Sequence, residues 1–138
     1  MKNLEFTLNV KEENLKVIAD EYSTTQIFIN LIDNAIKYTH KGKVEITSFI
    51  TEDKRAAIKV SDTGIGISEE FLPNLFTAFH QEQRGYTREF EGNGLGLALV
   101  KKYCDLNNAE IFVESKKGIG STFTVIFNNT IKKAAISN

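Results

Sequence analysis

Seven of the nine glycines in this 138-residue chain fall in three short patches, Gly64 with Gly66, then Gly92, Gly94 and Gly96, then Gly118 with Gly120. Glycine concentrates where the backbone must take a positive φ or where something must come close to it. The chain therefore spends its conformational freedom at three places. Two familiar glycine signatures do not fit. Gly92-x-Gly94-x-Gly96 lacks the GxGxxG spacing and follows a polar stretch where a dinucleotide fingerprint follows a strand, and no GxxxxGK[ST] phosphate loop occurs.

The segments between the patches carry clear periods. Leu4, Phe6, Leu8 and Val10 alternate with polar residues as in a half-buried strand, and Leu15 to Ala19 reads as a second strand paired to it through a turn at Lys11 to Asn14. Asp20 or Ser23 can cap a helix running to about Tyr38. In that helix Gln26, Asn30, Asp33, Asn34 and Lys37 share one narrow stripe, built mainly of carboxamides where a solvated face would be wide and charged. Lys43 to Ile50 and Arg55 to Asp62 alternate as two strands, and the period of Ala56, Ile58 and Val60 aims Asp62 inward. Ser68 is placed to cap a short helix around Pro73. From His80 to Gly92 the chain is polar and reads as a mobile loop. A helix follows Gly94, then a hairpin of Glu110 to Glu114 and Ser121 to Phe127 over Lys117 to Gly120, and a fraying tail from Asn128. Helices on one face of a sheet, in an α+β or mixed α/β domain spanning 1–138, is the expected class.

Composition excludes several functions. Lys and Arg number 17 against 18 Asp and Glu, a formal charge of -1, so neither a nucleic-acid binder nor a membrane-surface binder is favoured. The single cysteine, Cys104, rules out an intramolecular disulfide framework and a multi-cysteine metal site, and favours a reducing compartment. No apolar run approaches the ~20 residues of a membrane span, and no signal-peptide order opens the chain.

Four features converge on one ligand. Asn side-chain oxygens are hard neutral ligands suited to Mg2+, and Lys37 adds positive charge beside them. Asp62 can accept from an exocyclic amino group, selecting adenine over guanine. A glycine-rich loop opening a helix at Leu95 offers N–H groups to phosphate. The loop between, with Arg84 and Arg88, can close as a lid.

These residues resemble a known family. NLIDNAIKYT (Asn30 to Thr39), DTGIGI (Asp62 to Ile67), LFTAF (Leu75 to Phe79), GNGLGLALV (Gly92 to Val100) and GIGSTF (Gly118 to Phe123) look like the N, G1, F, G2 and G3 boxes of sensor histidine kinases, in the same order. The resemblance, to the GHKL superfamily, runs from Leu4 to Phe127. It implies the Bergerat fold, a two-layer α/β sandwich in which a mixed sheet of about five strands carries about three helices on one face. It also implies ATP and Mg2+ as ligands, with Asn34 and Asn30 at the metal. Lys37 and Tyr38 would contact phosphates or ribose, Asp62 would take the adenine amino group, and Gly64, Gly66 and Ile67 would shape the adenine pocket. Gly92, Gly94, Leu95, Gly96 and Leu97 would bring lid backbone to the phosphates, Thr122 would sit under the adenine, and Phe76 and Phe79 would anchor the lid or pack in the core, Phe79 near the nucleotide. Arg84 or Arg88 would reach the γ-phosphate.

Departures from the pattern carry information. Hydrolysing relatives place a Glu general base where Asn30 stands, and an amide accepts no proton from water, so hydrolysis should be slow and the γ-phosphate kept for a protein acceptor. Ser23 stands for a usual Arg, Asn93 for Thr, and Asn108-Ala109 for a Gly pair. His40 and His80 read as surface histidines, with no acidic acceptor context, and Cys104 as a helix residue without an activating His. The chain is expected to be an excised, monomeric, cytoplasmic catalytic domain, from a protein free to be membrane-anchored elsewhere. Its expected partners are the dimerisation and histidine-phosphoacceptor domain of the same kinase and, indirectly, a response regulator, with no nucleic acid and no direct membrane contact. A free-standing serine kinase of the anti-sigma-factor type is the alternative, against which the long lid and F box argue. A non-catalytic nucleotide module is the third reading, against which the intact boxes argue.

Overall fold

The computed structural model describes residues 4–11, 16–76 and 94–129, with backbone alone at 94–96. In chain order these form β1 (Leu4–Val10), α1 (Glu21–Lys37), β2 (Gly42–Ile50), β3 (Ala56–Asp62), a 3-10 turn (Leu72–Asn74), α2 (Gly94–Leu106), β4 (Ala109–Lys116) and β5 (Gly120–Phe127). The strands make one mixed sheet in the order β1-β2-β3-β5-β4, with β1 parallel to β2 and every other pair antiparallel. Against this sheet α1 lies on β3 and α2 on β4, and the helices pack on each other. The result is the two-layer sandwich of the Bergerat type, with two α-helices and one 3-10 turn among the described residues.

Periodicity explains the core. Ile27, Leu31 and Ala35 recur every four residues on α1, Leu97, Val100 and Cys104 at three- and four-residue steps on α2, and all are buried. From the sheet, Val44, Val60, Phe123, Val125 and Phe127 meet them. A fully buried Val or Leu side chain contributes roughly 1.5–3 kcal/mol, so these facing rows supply most of the driving force. Cys104 belongs to the same core, where burial pushes its thiol up to about 12 and leaves it unreactive.

Two expectations about the first elements need correction. Strand β1 does not pair with a strand at Leu15 to Ala19; it pairs in parallel with β2, from Leu4 opposite Gly42 to Val10 opposite Ser48. Parallel neighbours need a crossover, which α1 supplies, so the alternation identified the strand while the partner was set by what lay beyond the helix. Ile18 instead donates its N–H to the Asn129 carbonyl at 2.9 Å, at the far end of β5. The apolar row of β1 is also less covered than half-buried alternation implied: Phe6, Leu8 and Val10 are 51, 69 and 54% exposed. Around Pro73 the chain makes only a 3-10 turn, which the proline begins, with no side-chain cap from Ser68.

The helix layer is fastened at one end by a buried polar network. Asp20 is the cap: its carboxylate accepts from the Ser23 N–H at 2.8 Å and from the Ser23 hydroxyl at 2.7 Å. The Asn107 carboxamide, just past α2, accepts from the Asp20 N–H at 2.7 Å and donates to Ser23 Oγ and to the Tyr103 carbonyl, each at 2.8 Å. Ser23 therefore joins α1 to α2 by hydrogen bonds at the place where a long Arg is usual. Asn107→Ala should lower the unfolding free energy by about 1–3 kcal/mol, since it strands a buried hydroxyl and an N–H at once; urea unfolding checks this, and an unchanged midpoint would deny the network a stabilising role. The bonds from Ser23 hold the exposed Asp20 carboxyl below its ordinary value, so its contribution is present above that value and is lost as pH falls through the depressed one.

The turn after α2 and the chain end are similarly ordered. Asn108 takes the left-handed conformation with φ +54°, which asparagine tolerates better than most residues, where the pattern has Gly. Its carbonyl accepts from the Asn128 N–H at 3.2 Å, so Asn128 and Asn129 are tied down rather than frayed; the rest of the tail, 130–138, lies outside the described residues.

Candidate functional site

A cleft opens where the last turns of α1, the end of β3, the 62–67 loop and the start of β5 meet. Asn34, Tyr38, Asp62, Ile65, Gly66, Ile67, Ser121 and Phe123 line it. The loop that forms its wall is pinned from three sides. Ile65 N–H donates to the Tyr38 carbonyl at the end of α1 at 3.0 Å, Gly118 N–H donates to the Ile65 carbonyl at 2.7 Å, and Ile67 N–H donates to Ser115 Oγ on β4 at 2.7 Å.

Glycine is needed in this loop for close approach. A Cβ at Gly64 would stand 2.2 Å from the Tyr38 carbonyl oxygen, and one at Gly66, where φ is +73°, would stand 2.1 Å from the Lys116 carbonyl oxygen. The first two glycine patches visible here thus do the same job: they let α1, the loop and the β4–β5 turn converge without side chains between them.

Two polar groups dominate the cleft. Asp62 ends β3 with its carboxylate partly withdrawn from water; burial raises its pKa above the ordinary 3.8, offset in part by the N–H groups of Gly64, at 2.8 Å, and of Ser121. Asn34 is 5% exposed, and its Oδ1 is buried with no hydrogen-bond partner in the protein. An orphaned buried acceptor costs roughly 1–3 kcal/mol, so it is retained against stability and marks a place where a ligand or metal completes the bonding.

A hard cation fits this donor set on one condition. Among the described residues no group of three His, Cys, Asp or Glu side chains could hold a metal, so a cation here needs oxygens from its own ligand beside the Asn34 carboxamide. That is the habit of Mg2+, which binds few protein groups and completes its shell with phosphate oxygens and water.

The expected site residues divide into three sets. Asn34, Tyr38, Asp62, Gly66 and Ile67 come together on the cleft, with Gly64 immediately behind its wall. Asn30 lies one turn earlier on α1, half-buried, and Lys37 is exposed on the last turn with its ammonium 5.8 Å from the Tyr38 ring centroid; neither lines the cleft itself. Gly94, Leu95 and Gly96 open α2, and Leu97 is buried in the core at 1% exposure. Phe79, Arg84, Arg88 and Gly92, with His80 and Asn93, lie outside the described residues. Phe76 is half-buried with its ring edge-on to Phe123 at 6.2 Å.

Thr122 requires a correction. It sits on the opposite face of the sheet, its hydroxyl 2.9 Å from that of Ser61, while Ser121 lies on the cleft side. Along β5 the buried residues are Ser121, Phe123, Val125 and Phe127, and a period of two cannot place Thr122 with them. The signal was present in the sequence, because the apolar alternation of Phe123, Val125 and Phe127 extrapolates to Ser121. Ile65 and Phe123 were also missed as cleft residues, since each reads simply as a core hydrophobe.

The sequence matches the family described as "Histidine kinase-, DNA gyrase B-, and HSP90-like ATPase" over residues 19–131. The chain belongs to this family. Among curated relatives, the Autoinducer 2 sensor kinase/phosphatase LuxQ of Vibrio parahaemolyticus is 38% identical over 122 residues, which cover 85% of this chain and 14% of LuxQ. Full-length ShkA, whose structure was solved in complex with AMPPNP, superposes with a TM-score of 0.78 at 28% identity, over 94% of this chain and 26% of ShkA. The nucleotide-free catalytic domain of histidine kinase ThkA gives a TM-score of 0.73 at 28% identity, over 90% of this chain and 77% of that one. This histidine-kinase-type ATPase domain therefore spans a small part of the full-length relatives it matches. No helix among its described residues is long and apolar enough to cross a membrane.

Proposed function

We propose that this domain binds Mg-ATP in the α1–β3–β5 cleft and donates the γ-phosphoryl group to a histidine on a separate dimerisation domain of the same kinase. The observation that carries the reading is the pairing, in one cleft, of the desolvated Asp62 carboxylate with the unpartnered Asn34 carboxamide oxygen. The relationship to sensor kinases, and the AMPPNP bound by ShkA, support it.

In this reading Asp62 accepts from the adenine amino group, with Gly64, Gly66 and Ile67 shaping the pocket and Ser121, in place of Thr122, beneath the ring. Asn34 and Asn30 hold the Mg2+, whose chemistry is to neutralise charge on the phosphate oxygens. Lys37 and Tyr38 flank the phosphates or ribose, the backbone of Gly92 to Leu97 meets the phosphates, and Arg84 or Arg88 reaches the γ-phosphate. During transfer the bond between the γ-phosphorus and its bridging oxygen breaks, a phosphorus–nitrogen bond forms to the acceptor imidazole, ADP leaves, and the imidazole gives up its N–H proton. Asn30 cannot take a proton from water at neutral pH, so hydrolysis does not compete. The acceptor would come from a domain outside residues 1–138, with a response regulator downstream and a cytoplasmic site of action.

Incubation with γ-labelled ATP and Mg2+, with and without the kinase's dimerisation segment, tests this. Acid-labile label on a histidine of that segment, absent without it, is the expected result. Acid-stable label on a serine would replace the acceptor assignment, and nucleotide binding without any transfer would reduce the domain to a regulatory module.

A further inference from the structure

The sheet carries one apolar row that the two helices leave bare. Phe6, Leu8 and Val10 share a side of β1 with Leu4, which packs against the core, and their parallel partners include Val44, which is fully buried beneath the helix layer, and Ile46, which packs against it. The row therefore lies on the helix-bearing side. Yet α1 rests on β3 and α2 on β4, and Phe6, Leu8 and Val10 remain 51, 69 and 54% exposed. Three large apolar side chains in line at a sheet edge are a contact surface, since isolated ones would need no explanation and a row of this kind invites association.

We propose that this row seats an amphipathic helix of the same kinase polypeptide, lying outside residues 1–138 and leading into β1.

Geometry selects a helix. From Phe6 to Val10 the strand advances about 13 Å at ~3.3 Å per residue, which two to three helical turns of ~5.4 Å pitch cover. The row sits at the foot of a step formed by α1, and a helix diameter of ~10 Å is what brings the layer level. Pairing of a second copy through the free backbone edge of β1 would satisfy N–H and C=O groups but leave the side-chain face bare. Position selects the same polypeptide. Successive elements usually pack on one another, so a helix turning into β1 at Leu4 falls back onto its own strand. The excised ThkA catalytic domain also contains polypeptide beyond this match, which accounts for 77% of it while covering 90% of the present chain.

The inference rests on family membership and on no step of phosphoryl transfer. Its test reads thiol accessibility, and the native Cys104 is fully buried, so the background is low. Leu8→Cys and Phe6→Cys, with Glu5→Cys on the other side of the strand as control, would be labelled with a maleimide in residues 1–138 and in the polypeptide extended to its full coding sequence. The expected result is labelling at least about tenfold slower at positions 6 and 8 in the longer protein, with position 5 unchanged. Equal rates in both proteins would overturn the proposal, as would a coding sequence with nothing before Met1. Concentration-dependent protection within 1–138 itself, with a dimer mass by light scattering, would assign the row to a second copy and overturn it equally.

Discussion

Replacing Asn34 by alanine is expected to reduce Mg-dependent ATP binding and phosphoryl transfer by about 100-fold or more, while the unliganded domain keeps its unfolding free energy to within about 1 kcal/mol. The two halves of this expectation come from one atom. In the empty domain Asn34 Oδ1 is buried and accepts nothing, so the folded state already bears the cost of its desolvation and loses no bond when it is removed. With Mg-ATP bound, the same oxygen is the protein's main contribution to the metal, and no acidic cluster nearby could substitute for it among the described residues. Titration calorimetry with and without Mg2+, beside urea unfolding of the apo protein, separates the outcomes. Full transfer activity in the variant would remove Asn34 from the site. A large loss of apo stability would instead make it a packing residue.

Asp62→Asn should lower ATP affinity by roughly 10- to 100-fold, the worth of a charge-assisted hydrogen bond of about 1.5–3 kcal/mol, and bring ATP and GTP affinities close together. An asparagine oxygen can still accept from the Gly64 N–H, so the loop should keep its shape. The pH dependence gives an independent reading. Burial raises the Asp62 pKa above 3.8, so the folded domain binds this proton more tightly than the unfolded chain does, and the group's contribution to stability increases as pH falls through the raised value. ATP binding moves the other way. The carboxylate must be ionised to accept from the adenine amino group, so affinity falls with pH before an ordinary carboxylate would titrate. The Asn variant should lack that fall. A parallel pH profile in wild type and variant would place the titrating group elsewhere.

Asn34 and Asp62 illustrate how a site becomes legible in one dimension. A carboxamide in a narrow helical stripe and a carboxylate carried inward by strand alternation are both local anomalies, each costly unless something answers it. Three later glycines and a helix start gave the third party to which they answer. Thr122 shows the limit of arguing by proximity to a motif: its neighbour Ser121 had the right parity, and only strict application of the two-residue period distinguishes them. Ile65 and Phe123 could not be distinguished at all, because an apolar wall of a cleft and an apolar core residue have the same sequence signature.

The pairing of β1 shows a different limit. Its alternation was sufficient to identify a strand, but a short turn at Lys11 to Asn14 made a hairpin with the next residues equally readable. The parallel ladder with β2, separated by the whole of α1, depends on contacts distant in sequence whose energy no local pattern reports.

The three glycine patches, the order of the elements, the inward carboxylate and the carboxamide stripe belong to the sequence alone, because backbone freedom and hydrophobic period are local properties. Tertiary structure decided three other things. It closed α1, the 62–67 loop and the β4–β5 turn on one another at distances only glycine allows; it left the Asn34 oxygen without a partner; and it left the apolar row of β1 without a cover. Each of these depends on which surfaces meet, and a chain's period states which face is apolar but not what will be placed against it.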